Sequence, residues 1–197
     1  MKNMMAASLI PNGIPIELLG RNPHLRSYIN KLERRIGADL VYLQTLSREL
    51  RTLRQFNIIY PVGEPIFIHI MSRARERPLY SVVSPMSNVP RNLLKTVATA
   101  IAPLISSETD FNGKEEHERI LHEALDQIIV IDETLEDYDY IVTGKGRVSY
   151  ITINSFTAES VRYSLILDKV YTGILEPFLR DQYIEDISCD GVGPIFV

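Results

Sequence analysis

Three carboxylates stand close together near the end of the sequence: Glu185, Asp186 and Asp190. Paired carboxylates can exchange protons with a substrate, and their oxygen atoms are also ligands that suit Mg²⁺. No base or phosphate-binding loop stands beside them, and Asp190-Gly191 is a common turn pair. A solvated strand end followed by a turn therefore explains these residues better than a metalloenzyme site, which we keep as the third of three functional hypotheses.

The four histidines are scattered and do not form a recognisable catalytic or metal-binding pattern. His117 and His122 are five residues apart, whereas two ligands on one face of a helix are three or four residues apart. His24 and His69 have no Ser or Cys nucleophile motif beside them. We therefore predict ordinary surface or strand histidines, with no catalytic residue and no metal ligand.

Two Gly-Lys pairs are candidates for a nucleotide phosphate loop. That loop requires a glycine five positions before the pair and a Ser or Thr directly after it. Gly113-Lys114 has Glu108 at the first position, and Gly144-Lys145 has Asp139 there. The sequence therefore predicts that this chain holds no cofactor and does not hydrolyse ATP by itself.

The front of the chain is basic, although the whole chain has a net charge of −4. Residues 21–55 contain eight Lys and Arg residues against three acidic ones. Such a surface suits anionic lipid or an acidic cytoplasmic loop of a membrane protein, and the overall acidity disfavours nucleic acid. An ordinary solvated helix face is the alternative. The candidate contact residues are Arg26, Lys31, Arg34, Arg35, Arg48, Arg51 and Arg54.

Hydrophobic spacing predicts which elements position these residues. Asn22-Pro23 marks a helix start, and apolar residues three and four apart predict one long helix over residues 22–55, which Gly37 can divide. Short apolar runs bounded by Pro and Gly predict strands at residues 57–60, 66–70 and 79–83, with residues 72–77 as a polar turn. Helices near residues 93–104, 120–131 and 157–167 and a second hairpin near residues 138–153 complete the pattern.

This pattern predicts an α+β fold, in which a helix-rich N-terminal assembly with short antiparallel hairpins precedes the start of a second small α/β unit. We predict a flexible lead-in over residues 1–21, a first domain over residues 22–155 and a second subdomain over residues 156–197. Ile195-Phe196-Val197 looks like a strand, so we expect its partner beyond residue 197, in a larger protein. One cysteine and no long apolar run favour a reducing compartment and no membrane span.

Residues 160–197, which include Gly173, Pro177 and Asp181, resemble the archaeal type II/type IV secretion-system ATPases, which drive archaella and pili. Upstream, Tyr60-Pro61, Glu64-Pro65 and residues 80–85 are similar to that family's N-terminal region more loosely. The residues that carry the resemblance most specifically are Gly173, Pro177, Asp181, Ile184, Glu185, Asp186, Ile187, Ser188, Asp190 and Gly191.

The resemblance implies a cytoplasmic hexameric motor at the inner face of the cell membrane, whose downstream RecA-like engine uses ATP and Mg²⁺. This chain would be the N-terminal region, which couples the engine and the neighbouring subunits to a polytopic membrane platform protein. Residues 184–188 would then be structural, as part of the sheet over the engine. The runner-up hypothesis is a stand-alone adaptor or nucleic-acid-binding protein that uses the basic residues 22–55.

Overall fold

The computed structural model describes residues 13–36, 40–73, 77–105, 113–145, 148–189 and 195–196. The protein has an α+β fold, as the sequence predicts. The chain forms two compact units. Unit 1 comprises Met1–Ser84 and Arg180–Gln182, and unit 2 comprises Pro85–Leu179 and Tyr183–Val197.

Unit 1 packs two helices against a four-stranded sheet. The sheet order is β1-β2-β3-β4, in which β1 is parallel to β2 and the other neighbours are antiparallel. Leu25 and Ile29 of the second helix pack into one apolar cluster with Ile59, Phe67 and Val83 of the strands. The elements are α1 (Ile16–Arg21), α2 (Pro23–Ile36), β1 (Val41–Tyr42), β2 (Phe56–Pro61), β3 (Phe67–Ser72) and β4 (Leu79–Val83).

The predicted long helix over residues 22–55 is wrong beyond Ile36, where α2 ends. Val41 pairs with Ile58 in the parallel β1–β2 ladder, and the Leu43 amide donates a hydrogen bond to the Ile59 carbonyl over 3.0 Å. A short 3-10 helix, Arg48–Thr52, follows. Pairing with β2 therefore outweighs the helical spacing of the leucines, because tertiary contacts override local propensity.

The predicted flexible lead-in also differs from the structure. Its last six residues form α1, which buries Leu18 and Leu19 against the core of unit 1. Residues 1–12 of that segment lie outside the described residues. Two adjacent buried leucines are enough to hold a short helix whose own propensity is marginal.

Unit 2 packs three helices on a three-stranded sheet of order β5-β7-β6. β5 runs parallel to β7, and β6 runs antiparallel to β7. The elements of this layer are α3 (Arg91–Ile101), α4 (Lys114–Ile128), β5 (Ile129–Ile131), β6 (Ile141–Lys145), β7 (Val148–Ile153) and α5 (Ser155–Val170). Three further elements follow, namely α6 (Glu176–Arg180), β8 (Ser188–Cys189) and β9 (Ile195–Phe196).

The division of the chain falls at Ser84–Pro85, whereas the sequence placed it near residue 155. The reason lies in α5, which shares one apolar core with the elements before it: Val161 and Leu165 cluster with Leu93 and Ile151. Asn154 caps α5, since its side-chain oxygen accepts a 2.8 Å hydrogen bond from the Thr157 amide. A turn that looked like a domain boundary is thus a helix cap inside unit 2.

The last strand has a partner within the chain. We expected the strand at Ile195-Phe196-Val197 to pair beyond residue 197, but β9 pairs with β8 in antiparallel register, Ser188 with Phe196 and Cys189 with Ile195. The five residues between the two strands are a usual length for a hairpin connection. A strand can pair along both of its edges, so a partner beyond residue 197 stays a prediction.

Within the described part of the chain, no helix combines the length and the apolar content that crossing a membrane requires.

Candidate functional site

Unit 1 carries arginines at one end of its four-stranded sheet. β2 starts, β3 finishes and β4 starts at this end, because the three strands are antiparallel neighbours. Arg54 lies two residues before β2, Arg73 directly after β3, and Arg77 two residues before β4. Adjacent strands are about 4.8 Å apart, so the three residues share one end of the sheet. We call Arg54, Arg73 and Arg77 the arginine end.

The arginine end is exposed and lacks acidic partners in the part of the chain that the structure describes. All three side chains are exposed to solvent. No described carboxylate forms an ion pair with any of them. The Ser72 hydroxyl donates a 3.4 Å hydrogen bond to the Arg54 carbonyl and so joins the two neighbouring chain segments. These three described guanidinium groups carry positive charge that a ligand carboxylate can neutralise.

At the opposite end of the same sheet, an arginine forms an ion pair with a carboxylate. There, the Arg21 guanidinium donates a 2.9 Å hydrogen bond to the Glu64 carboxylate. The Asn22 amide donates a second bond of 3.2 Å to the same group. Arg21 first and Asn22 second hold the pKa of Glu64 below its ordinary value. Among the described residues, the arginine end is therefore the end of the sheet whose arginines have no acidic partner.

α2 runs toward the arginine end. Near its start, His24 Nε2 donates a 2.8 Å hydrogen bond to the Pro65 carbonyl, and one turn later the Tyr28 hydroxyl contacts His69. The helix therefore advances in the same direction as β3, which finishes at the arginine end. Its last turn carries the backbone positions of Arg34 and Arg35.

The predicted basic set is distributed over several elements of unit 1. Arg26 and Lys31 are exposed on α2, whose last turn holds the next two positions. The sequence missed Arg73 and Arg77, because residues 72–77 were interpreted as a plain polar turn. Alternating arginines in that turn were the available signal. The seven predicted positions lie on α2 (Arg26, Lys31, Arg34, Arg35), in the 3-10 helix (Arg48, Arg51) and before β2 (Arg54).

Asp181 anchors a distant piece of chain on the sheet of unit 1. It is 3% exposed, and its Oδ2 atom accepts hydrogen bonds from the Tyr60 hydroxyl over 2.7 Å and the Tyr80 hydroxyl over 2.8 Å. Burial first and the Asp181 carboxylate second raise the pKa of Tyr80 far above its ordinary value. Asp181 thus fixes Arg180–Gln182 to unit 1.

Two buried histidines hold α2 on the sheet and are neutral at pH 7. His69 is fully buried, donates from Nε2 to the Asn57 side-chain oxygen over 2.6 Å, and accepts from the Tyr28 hydroxyl at Nδ1 over 2.7 Å. Burial lowers the pKa of His69 to about 4 and that of His24 to about 4. Both ring nitrogens of His69 are occupied by structural contacts. Its surroundings therefore favour a structural role over proton transfer to a substrate.

The other predicted motif residues do not converge on one site. Gly173 has a φ of +61°, a left-handed conformation that favours glycine. Glu185 and Asp186 are exposed, while Asp190 and Gly191 lie outside the described residues. Among the residues described, no group of three or more His, Cys, Asp or Glu side chains could hold a metal ion. Pro177 is buried in α6, Ile184 and Ile187 are half-buried, and Ser188 belongs to β8.

Comparison with known proteins places the chain beside a longer archaeal relative. No family model matches the chain. The chain is 33% identical over 178 residues to a protein of Methanocaldococcus jannaschii described as "Uncharacterized protein MJ0900". The similarity covers 89% of this chain and 32% of the relative. The chain therefore spans about a third of the length of the curated relative it matches.

Proposed function

We propose that this chain is the N-terminal regulatory and docking module of an archaeal secretion, pilus or archaellum ATPase. In this role it lies in the cytoplasm, peripheral to the inner face of the cell membrane, and couples a downstream RecA-like engine to a polytopic membrane platform protein. Two observations support the assignment. The residues from Gly173 onward resemble that family, and the archaeal relative is about three times as long as the matched part.

The arginine end is the observation that carries the docking role. Three exposed guanidinium groups without a described acidic partner are suited to acidic residues on another protein. A guanidinium offers a planar pair of N–H donors that matches a carboxylate, and it stays charged at any physiological pH. Charge complementarity of this kind raises the association rate and selects the partner. The partner we propose is an acidic cytoplasmic loop of the membrane platform.

The Asp181 anchor supplies the coupling. The chain on both sides of Arg180–Gln182 belongs to unit 2, while these three residues belong to unit 1. In this proposal Asp181, through its hydrogen bonds to Tyr60 and Tyr80, fixes Arg180–Gln182 to β2 and β4. Both strands start at the arginine end.

In this proposal, the residues that hydrolyse ATP lie in the rest of the protein. ATP and Mg²⁺ would bind to the engine downstream, in a hexamer of subunits, and this chain would contribute no catalytic residue. The first test is the reading frame after the codon for Val197. We expect it to continue into a glycine-rich loop that ends in Lys and Ser or Thr. A stop codon at that point would contradict the motor assignment and make the adaptor hypothesis the leading one.

The second test uses the whole protein with its membrane platform. Arg73→Ser/Arg77→Ser should weaken co-purification of the platform while the basal rate of ATP hydrolysis is retained, because the arginine end touches no nucleotide in this proposal. Arg26→Ser/Lys31→Ser removes the same charge from exposed positions on α2 and is the matched control. Equal platform binding by the two variants would refute docking through the arginine end.

A further inference from the structure

Unit 2 contains a groove that the proposed function does not use. Residues of α3, α5 and two short 3-10 helices, Pro85–Asn88 and Gly173–Leu175, line it. Its volume is about 520 Å³, which lies within the range of sites that hold ligands. Its described lining residues belong to unit 2, whereas the arginine end belongs to unit 1.

The floor of the groove is apolar, and one apolar side chain stands unburied at its rim. Val89 and Leu165 are 9% and 3% exposed, whereas Ile174 is 63% exposed. Covering an isoleucine side chain completely is worth about 1.5–3 kcal/mol. The groove therefore offers apolar surface to a ligand that can reach below its rim.

The rim of the groove is cationic. Arg91 and Lys95 are exposed on α3 and, being four residues apart, lie on one face of that helix. Neither forms an ion pair with a carboxylate in the described ranges. Lys169 of α5 is paired with Asp168 over 2.8 Å. Two cations thus remain available to an anionic ligand, directly beside the apolar floor.

We infer that this groove binds an acidic segment of a partner protein, in which one apolar anchor side chain is flanked by Asp or Glu. The anchor fills the floor, and the flanking carboxylates meet Arg91 and Lys95. A bilayer surface is flat and does not reach a concave floor. None of the described lining residues is aromatic, so these residues offer no platform for the stacking that holds single-stranded nucleic acid. An apolar groove between helices with charged walls is a common mode of peptide recognition.

The experiment titrates the whole chain into a fluorescein-labelled twelve-residue peptide that has one central Leu among Asp and Glu residues. Fluorescence anisotropy gives the affinity. A second peptide with Ser in place of Leu measures the part that depends on the anchor. The titration is repeated with the Arg73→Ser/Arg77→Ser variant. Peptide binding at the groove can then be distinguished from peptide binding at the arginine end. Anionic vesicles and single-stranded DNA are titrated alongside.

We expect Arg91→Ser/Lys95→Ser to weaken binding of the Leu peptide by about 3- to 30-fold, since an exposed charge pair contributes up to about 1 kcal/mol. Lys114→Ser/Arg119→Ser removes the same charge elsewhere in unit 2 and should change the affinity for the Leu peptide by less than about twofold. Ile174→Ser, at an exposed position, should remove most of the difference in affinity between the Leu peptide and the Ser peptide.

Equal affinity for the Leu and Ser peptides, or equal losses in the two charge variants, would overturn the inference. Tighter binding to vesicles or to DNA than to the Leu peptide would also overturn it. Circular dichroism spectra that match the unmodified chain confirm that the exposed substitutions leave the fold intact.

Discussion

Units 1 and 2 bury their polar side chains in different ways. In unit 1, His69 contacts Tyr28 of another element, and Asp181 contacts Tyr60 from 121 residues away. In unit 2, buried Ser160 and Ser164 bond to carbonyls four residues earlier in their own helix. Unit 1 therefore adds polar contacts between distant parts of the chain to its apolar cluster, whereas these two serines of unit 2 bond within one helix. Unit 1 is also the unit whose exposed Arg54, Arg73 and Arg77 have no acidic partner among the described residues.

Lowering the pH should distinguish the two units most strongly, because His24 and His69 both lie in unit 1. The folded pKa of His24 and of His69 is about 4, below the ordinary value near 6.5, so the folded state binds fewer protons between these values. Their contribution to stability is present above pH 6.5 and is lost as the pH falls toward 4. The loss is up to about 3 kcal/mol for each histidine. Urea unfolding at pH 7 and pH 4.5 measures it.

The double variant His24→Gln/His69→Gln is the control for the acid effect. It removes both titrating groups, so the fall in unfolding free energy between pH 6.5 and pH 4 should shrink markedly. Hydrogen exchange of the β3 amides reports the same change locally. An unchanged pH dependence in the double variant would show that other groups cause the acid loss.

Truncation of the apolar core of unit 2 should have the next largest effect. Leu125 of α4 is fully buried against α3, α5 and the sheet. Leu125→Ala should lower the free energy of unfolding by about 2–5 kcal/mol, because it leaves a cavity. Leu179→Ala, at a residue that is 60% exposed, should cost less than about 0.5 kcal/mol. Similar costs for both would mean that this core is not closely packed.

The hydrogen bonds of Asp181 should contribute somewhat less to the free energy of unfolding. Tyr60→Phe and Asp181→Asn each weaken the hydrogen bonds to the buried carboxylate and should cost about 1–3 kcal/mol. Their double variant should cost less than the sum, because both act on one interaction. Tyr42→Phe, which loses an exposed bond to Gln44, is the control. Additive costs from urea unfolding would mean that the two groups are not coupled.

The cap of α5 tests the local contacts of unit 2. Asn154→Ala removes the acceptor of the Thr157 amide, and an N-cap of this kind contributes about 1 kcal/mol. Asn154→Asp keeps an acceptor and should retain most of the stability in thermal unfolding. If Asp fails to rescue, the Asn154 amide, which donates to the Leu135 carbonyl and the Asp137 side chain, carries the effect instead.

Local sequence patterns predicted much of the fold and little of the candidate site. The strands β2, β3 and β4 follow from short apolar runs between Pro and Gly residues, and these predictions are confirmed. The predicted helix was wrong over residues 41–55, because Val41 and Tyr42 pair with β2 and the Leu43 amide donates a hydrogen bond to the Ile59 carbonyl. Hydrophobic periodicity indicates which residues are buried. It cannot indicate a partner strand that lies 17 residues further along the chain.

The arginine end was missed for a related reason. Arg54 and Arg73 belong to separate segments of the sequence, and only the antiparallel pairing of β2 with β3 brings these segments together. The Asp181 anchor depends in the same way on contacts between distant parts of the chain. Sites assembled by long-range pairing need the topology, which no single segment of the sequence specifies.

The arginine end as a docking surface for acidic protein is the central claim, and one binding measurement tests it directly. Polyglutamate serves as the probe, and calorimetry compares Arg73→Ser/Arg77→Ser with the charge-matched Arg26→Ser/Lys31→Ser. We expect the first variant to lose about 5- to 30-fold in affinity, at up to about 1 kcal/mol per arginine, and the second less than about twofold. Equal losses in the two variants, or stronger binding of duplex DNA or anionic vesicles than of polyglutamate, would contradict the claim.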